Sequence, residues 1–158
     1  MLSRFCDGVV RLVEAAMAAA FTALIATVAL QVLARNLLHE PMIWTGDLAQ
    51  LLFTWLIFIG AAVGLRKGAH YTVDLLPEHN ALLNQALEWI SIVAGLIIVY
   101  LLVIQGWILA ELRSTGSIQS LNLSHFWTFV SMPVSGVLML LFLVEIVVGR
   151  KAADGGPR

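Results

Sequence analysis

The sequence predicts an all-α integral membrane protein with four transmembrane helices and a short cytoplasmic amphipathic segment between the second and third. Three observations carry this expectation. The 158-residue chain is 60% hydrophobic and only 12% charged, with a mean hydropathy of +0.92, a balance that water-soluble domains do not show. Four stretches are long and apolar enough to cross a hydrocarbon core of about 30 Å, which takes about 20 helical residues. Lys and Arg also fall unevenly on the short connections, which sets an orientation.

The spans are expected over about residues 12–34, 43–65, 87–110 and 123–149 of a single membrane domain, followed by a cytoplasmic tail over 150–158. Span one runs on through Ala23, Leu24, Ile25, Ala26, Thr27, Val28 and Leu30, without the small-residue cleavage site of a signal peptide, so it is expected to remain in the mature protein. Thr45 and Asp47 suit the first turn of span two, where a hydroxyl can cap free amides and an acid meets the positive end of the helix dipole. Gly68, after Arg66 and Lys67, suits the exit of that span. Between spans two and three, residues 70–85 carry Val73, Leu75, Leu76, Leu82 and Leu83 among polar residues and are broken by Pro77, as expected of a segment lying on the membrane surface. Arg4, Arg11, Arg66, Lys67, Arg150, Lys151 and Arg158 fall on one side, against Arg35 and Arg113 on the other. The positive-inside rule then places both termini and the second connection in the cytoplasm.

The formal charge of −1 gives no basic footprint for nucleic acid. Cys6 is the single cysteine, so this chain alone makes no disulfide, thiolate zinc site or iron–sulfur cluster. A protein that moves a polar solute by itself places ionisable groups deep in the membrane. Here Glu14, Asp47, Glu88, Glu111 and Glu145 all lie within about five residues of a predicted span end, where a charge costs little and long side chains reach the interface. An accessory or scaffold subunit is therefore the preferred reading, with the transport site in another chain.

Two alternatives test that reading. A small exporter could work as a homodimer through Glu14, but Arg11 lies three residues earlier on the same helical face, and an interfacial Arg11–Glu14 ion pair explains the acid without a substrate. A haem-bearing anchor needs facing ligands within the membrane, whereas His39, His70 and His79 fall in connections and His125 at the start of span four. Arg35 and Asp47 flank the first outer connection and could pair across it, or sit as unrelated interfacial charges. Gly60 and Gly64 form a small-xxx-small spacing in span two, suited to close approach of a helix of this chain or of a partner. Pro133 is expected to kink span four. Trp44, Trp89, Trp107 and Trp127 fall near span ends as interfacial anchors, whereas Trp55, near mid-membrane, is expected to face lipid or a partner.

The segment Arg35-Asn36, then Trp44-Thr45-Gly46-Asp47-Leu48-Ala49-Gln50, then Trp55 to Gly60, then Arg66-Lys67-Gly68-Ala69-His70-Tyr71-Thr72-Val73-Asp74 resembles the small membrane subunit of TRAP transporters, the DctQ type. In that family an Arg with Asn or Tyr ends the first helix, a Trp and an acidic pair open the second, and an Arg-x-Gly-x-His-x-x-Val-Asp element follows. The second half is similar more loosely, through Gly106-Trp107 and the run from Trp127 to Pro133. Gly46-Asp47 stands where the acidic pair is usual, and Gln50 where a basic residue often follows. The resemblance implies a non-enzymatic subunit of the bacterial inner membrane. It would scaffold a large membrane subunit that carries the substrate and sodium sites, fed by a periplasmic solute-binding protein and surrounded by membrane lipids. No cofactor is implied for this chain, and the substrates would be organic anions such as carboxylates or sugar acids. Arg35, Asn36, Trp44, Asp47, Trp55, Gly60, Gly64, Arg66, Gly68, His70, Asp74 and Pro133 are the candidate structural or partner-contact residues.

Overall fold

A computed structural model describes the backbone of residues 2–38, 42–71 and 81–154, and side chains over 6–37, 42–68 and 89–147. Helix α1 spans Leu2–Leu33 and ends in a π-helical turn over Ala34–Leu38; α2 spans Ile43–Tyr71. Helix α3, Ala81–Tyr100, passes through a second π-helical turn, Leu101–Gln105, into α4, Gly106–Leu112. A hairpin follows, with β1 at Ser117–Ile118 antiparallel to β2 at Leu123–Ser124, then α5 at Phe126–Phe129 and α6 at Ser131–Asp154. Among the described residues four helical segments are long and apolar enough to cross a membrane: Cys6–Leu37, Ile43–Gly68, Trp89–Leu112 and Phe126–Val147. The all-α, four-span architecture is therefore observed, with a short hairpin added to it.

The ends of these elements differ from expectation in ways that have local causes. Helix α2 continues through Gly68 to Tyr71 instead of ending there, because that glycine keeps a negative φ and makes no C-terminal cap. Thr45 does not cap amides: α2 already starts at Ile43, and the fully buried hydroxyl of Thr45 donates to the Met42 carbonyl at 2.6 Å. Pro133 does not bend the middle of a helix. The chain breaks at Val130, between α5 and α6, so Pro133 sits in the first turn of α6, where a missing amide hydrogen breaks no intrahelical bond. Most of the expected surface segment, with Asp74, lies outside the described residues.

Helix α6 is the centre of the bundle. It packs on α2 along one side and on α3 and its π-helical turn along another, while α1 lies mainly against α2. Phe142 is fully buried among Val10, Ala62, Val63, Val99, Met139 and Leu143. Glycines set the spacing of α3 and α4 against α6. A Cβ added at Gly95 would stand 3.1 Å from Leu143 Cδ1, one at Gly136 would stand 2.8 Å from Val103 Cγ2 and 3.2 Å from Val103 N, and one at Gly106 would stand 2.8 Å from Met132 Cβ. These contacts run antiparallel along the pair, and the π-helical turn carries Val103 to its place opposite Gly136.

Candidate functional site

Polar contacts between helices gather at two opposite ends of the bundle. At one end, which we call the ionic end, the last turns of α2 bring Arg66 between α1 and α6. Arg66 Nε donates to Glu145 Oε2 at 2.7 Å, and Nη2 donates to Glu145 Oε1 at 2.7 Å and to Asp7 Oδ1 at 2.8 Å. A planar guanidinium is the one cation that can grip a carboxylate with two parallel bonds and still reach a second acid. Its side chain and that of Glu145 are only 15% and 16% exposed, and the guanidinium lies 5.6 Å above the Phe142 ring centroid, so the charge is enclosed by carboxylates and an aromatic face. Cys6 is fully buried at this end. On the outside of the cluster Lys67 Nζ approaches Glu14 Oε1 at 2.6 Å. This corrects the expected Arg11–Glu14 pair: the acid faces the neighbouring helix, and the ion pair ties α1 to α2.

At the other end, the hairpin end, the Ser120 hydroxyl donates to the Asp47 carboxylate across the gap between the hairpin and the first turn of α2. The hairpin is held by His125 N bonded to the Gly116 carbonyl at 3.0 Å, Leu121 N to Ile118 O at 3.1 Å and Ser124 Oγ to Ser114 O at 2.7 Å. Asn122 takes the left-handed backbone, φ 51°, at its tip, a conformation asparagine tolerates well. Under the hairpin lies a cavity of about 520 Å³ whose walls include Asp47, Gln50, Arg113, Gln119, His125 and Phe129. The Arg113 guanidinium is turned over the Phe129 ring, 6.0 Å from its centroid. Arg35 and Asn36 are exposed on the π-helical turn after α1. Asp47 is bonded to Ser120 and not to Arg35, with no carboxylate within 4.0 Å of Arg35 among the described residues.

Trp55 makes a contact that the sequence did not suggest. It is half-buried, and its indole Nε1 donates to the Trp127 carbonyl at 2.9 Å. The break at Val130 interrupts the helical bonding of α5, and a carbonyl left without its helical amide at membrane depth needs another donor. Trp44, Trp89, Trp107 and Trp127 are exposed near the ends of their spans. Of the two span-two glycines, Gly60 faces α1, where an added Cβ would meet Met17 Cε at 3.2 Å, whereas at Gly64 it would meet nothing within 4 Å. His70 lies in the last turn of α2 with its side chain outside the described residues. His125 is the one histidine with a described side chain, and it lines the cavity. Among the described residues no three His, Cys, Asp or Glu side chains gather as a metal site would require.

The sequence reading missed the Glu145 and Asp7 partners of Arg66, and the Ser120 partner of Asp47. It also missed Gly95, and it did not foresee how closely Gly106 and Gly136 approach their neighbours. An Arg and a Glu at the ends of two different spans were the only signal available for the first. Nothing in the spacing of serines in the last connection singled out Ser120.

Over residues 24–152 the chain matches the family described as tripartite ATP-independent periplasmic transporters, DctQ component. It is 30% identical over 128 residues to the sialic acid TRAP transporter small permease protein SiaQ of Vibrio cholerae, covering 78% of this chain and 72% of that one. It is 30% identical over 117 residues to the C4-dicarboxylate TRAP transporter small permease protein DctQ of Pseudomonas aeruginosa, covering 70% of this chain and 56% of that one. Similarity also extends to the sialic acid TRAP transporter permease protein SiaT of Haemophilus influenzae, at 27% identity over 79% of this chain but only 20% of that longer one. These relatives are transporter subunits, and the motif order that ends span one, opens span two and closes it with Arg66 falls within the matched region. The chain is a multi-pass membrane protein that belongs to the DctQ family of TRAP transporter small permease subunits.

Proposed function

We propose that this chain scaffolds the large permease subunit of a TRAP secondary transporter in the bacterial inner membrane, for sodium-coupled uptake of an organic anion delivered by a periplasmic solute-binding protein. The observation that carries this reading is the Arg66 cluster, in which one guanidinium joins α1, α2 and α6 through Asp7 and Glu145. A bundle whose enclosed charges are committed to one another is built to stay still, which is what a scaffold beside a moving transport domain must do. Two relatives are named for transporters of sialic acid and of C4-dicarboxylates, both of them carboxylates, which supports the organic-anion class. The excess of Lys and Arg on the connections supports a cytoplasmic ionic end and a periplasmic hairpin end. Sodium sites belong to the large subunit in this reading, and this chain carries out no reaction. The commitment of Glu14 to Lys67 speaks against a self-sufficient exporter.

The test is uptake of labelled carboxylates into vesicles reconstituted with the large subunit and binding protein, with and without this chain. Uptake should require it, and transport that survives its omission defeats the proposal. Gly64, with open space beside it, is the span-two glycine that suits a partner helix. Gly64→Leu should reduce co-purification of the large subunit, whereas Gly60→Leu should act first on the α1 contact.

A further inference from the structure

Among the described residues Asp47 and Glu111 are the acids without a cation, and of these two only Asp47 is half-buried. Asp7 and Glu145 share Arg66, and Glu14 has Lys67. Asp47 is half-buried in the wall of the hairpin-end cavity and receives only the neutral Ser120 hydroxyl. Neither arginine described at that end pairs with it: Arg113 lines the same cavity but stacks over Phe129, and Arg35 is exposed and forms no ion pair among the described residues. A carboxylate partly removed from water, with several lone pairs and one neutral donor, leaves a strong acceptor unfilled.

The cavity continues onto a free face of α2. Ile43, Gln50, Phe53, Ile57, Ala61 and Gly64 are exposed or open along one stripe, and Ile43 and Gln50 also line the cavity. A helix lying along that stripe would bring its outer end to Asp47.

We infer that Asp47 is a docking acid that receives a Lys or Arg side chain from the large membrane subunit, with the Ser120 hydroxyl holding the carboxylate in place until the cation arrives. The inference rests on the scaffold role proposed above and names the contact that role requires. The occupant is a basic side chain near the outer end of a membrane helix, because the acid sits where the apolar stripe meets the hairpin. A charged pair at the rim of an apolar helix contact fixes register and excludes wrong partners more than it adds raw affinity.

The experiment uses the complex. The tagged chain is co-expressed with the large subunit, and the retained fraction is measured after mild solubilisation across a series of NaCl and KCl concentrations. Asp47→Asn keeps an acceptor for Ser120, so the hairpin stays attached, yet it removes the charge. It should weaken retention about tenfold and flatten its salt dependence. Ser120→Ala should leave retention unchanged or increase it, since the hydroxyl only holds the place of the cation. Equal losses for the two variants would show that the bond serves the hairpin alone and would overturn the inference. So would retention that ignores Asp47→Asn, or retention that follows sodium rather than ionic strength, the mark of a bound ion. A wild-type chain that retains no large subunit would defeat the scaffold role itself, a result distinct from all of these.

Discussion

The two ends of the bundle are held together by different physics. At the ionic end long charged side chains span the gaps between helices, with Arg66 reaching both Asp7 and Glu145. At the hairpin end and the helix crossing below it, the joins are made by neutral donors and by backbones brought close. Trp55 donates to the Trp127 carbonyl, and Gly136 sits against the Val103 amide. A join made by flexible side chains tolerates small shifts of the helices but not a change of charge. A join made by close backbones tolerates changes of charge but not the addition of one carbon. Substitutions at the two ends should therefore fail for opposite reasons, and that contrast can be broken experimentally.

The largest effect is expected at Arg66. Arg66→Leu leaves Glu145 and Asp7 without their cation, and breaking a largely buried pair by removing one partner costs about 3 kcal/mol or more. Thermal unfolding of the purified chain in detergent should show a strongly lowered midpoint, little changed by salt. Arg66→Lys keeps the charge but loses the two-pronged grip seen at 2.7 Å on each Glu145 oxygen, so it should fall between wild type and Leu. If Lys matched wild type, charge alone would hold this end. Next comes Gly136→Ala. Its new methyl would stand 2.8 Å from Val103 Cγ2 and 3.2 Å from the Val103 backbone nitrogen, and overpacking of this kind costs about 1–3 kcal/mol. The same Ala substitution at Gly64, where the space is open, should leave the isolated chain unchanged.

The four spans were legible because membrane crossing imposes a length and a composition on contiguous residues. The same local rule could not reveal contacts between spans. Arg66 was singled out in the sequence, yet its partners lie 59 and 79 positions away, a separation on which helical spacing is silent. Pro133 suggests a kink in span four, but it stands in the first turn of α6; periodicity cannot say whether a helix bends through a proline or restarts just before it. The bond made by Trp55 is hidden from the sequence for a related reason. An indole in mid-membrane looks apolar in sequence, and only the broken helix beside it supplies the carbonyl that its N–H satisfies.

Trp55→Phe sharpens the comparison at intermediate size. Phenylalanine retains most of the ring but leaves the Trp127 carbonyl without its indole donor, an expected loss of about 1 kcal/mol. Hydrogen exchange should locate it: amides of α5 and the start of α6 should lose protection, while those near Phe142 keep theirs. Loss of protection throughout α6 would mean that the break at Val130 is not a separate unit, and that the hairpin end is no softer than the ionic end.

The smallest effect is expected at Lys67, beside the largest. The Lys67 and Glu14 side chains are 64% and 40% exposed, against 15% and 16% for Arg66 and Glu145. The ammonium offers a single close approach at 2.6 Å, and an exposed pair gains little because water and salt already solvate both charges. Lys67→Met should therefore shift the unfolding midpoint by no more than the equivalent of about 0.5 kcal/mol, and that shift should vanish in high salt. Neighbouring residues on one helix would then differ several-fold in their contribution for a single reason, the water each pair excludes. A Lys67→Met loss as large as that of Arg66→Leu would show that the surrounding membrane or headgroups screen this pair from water, and the ionic end would have to be treated as one cluster of five charges.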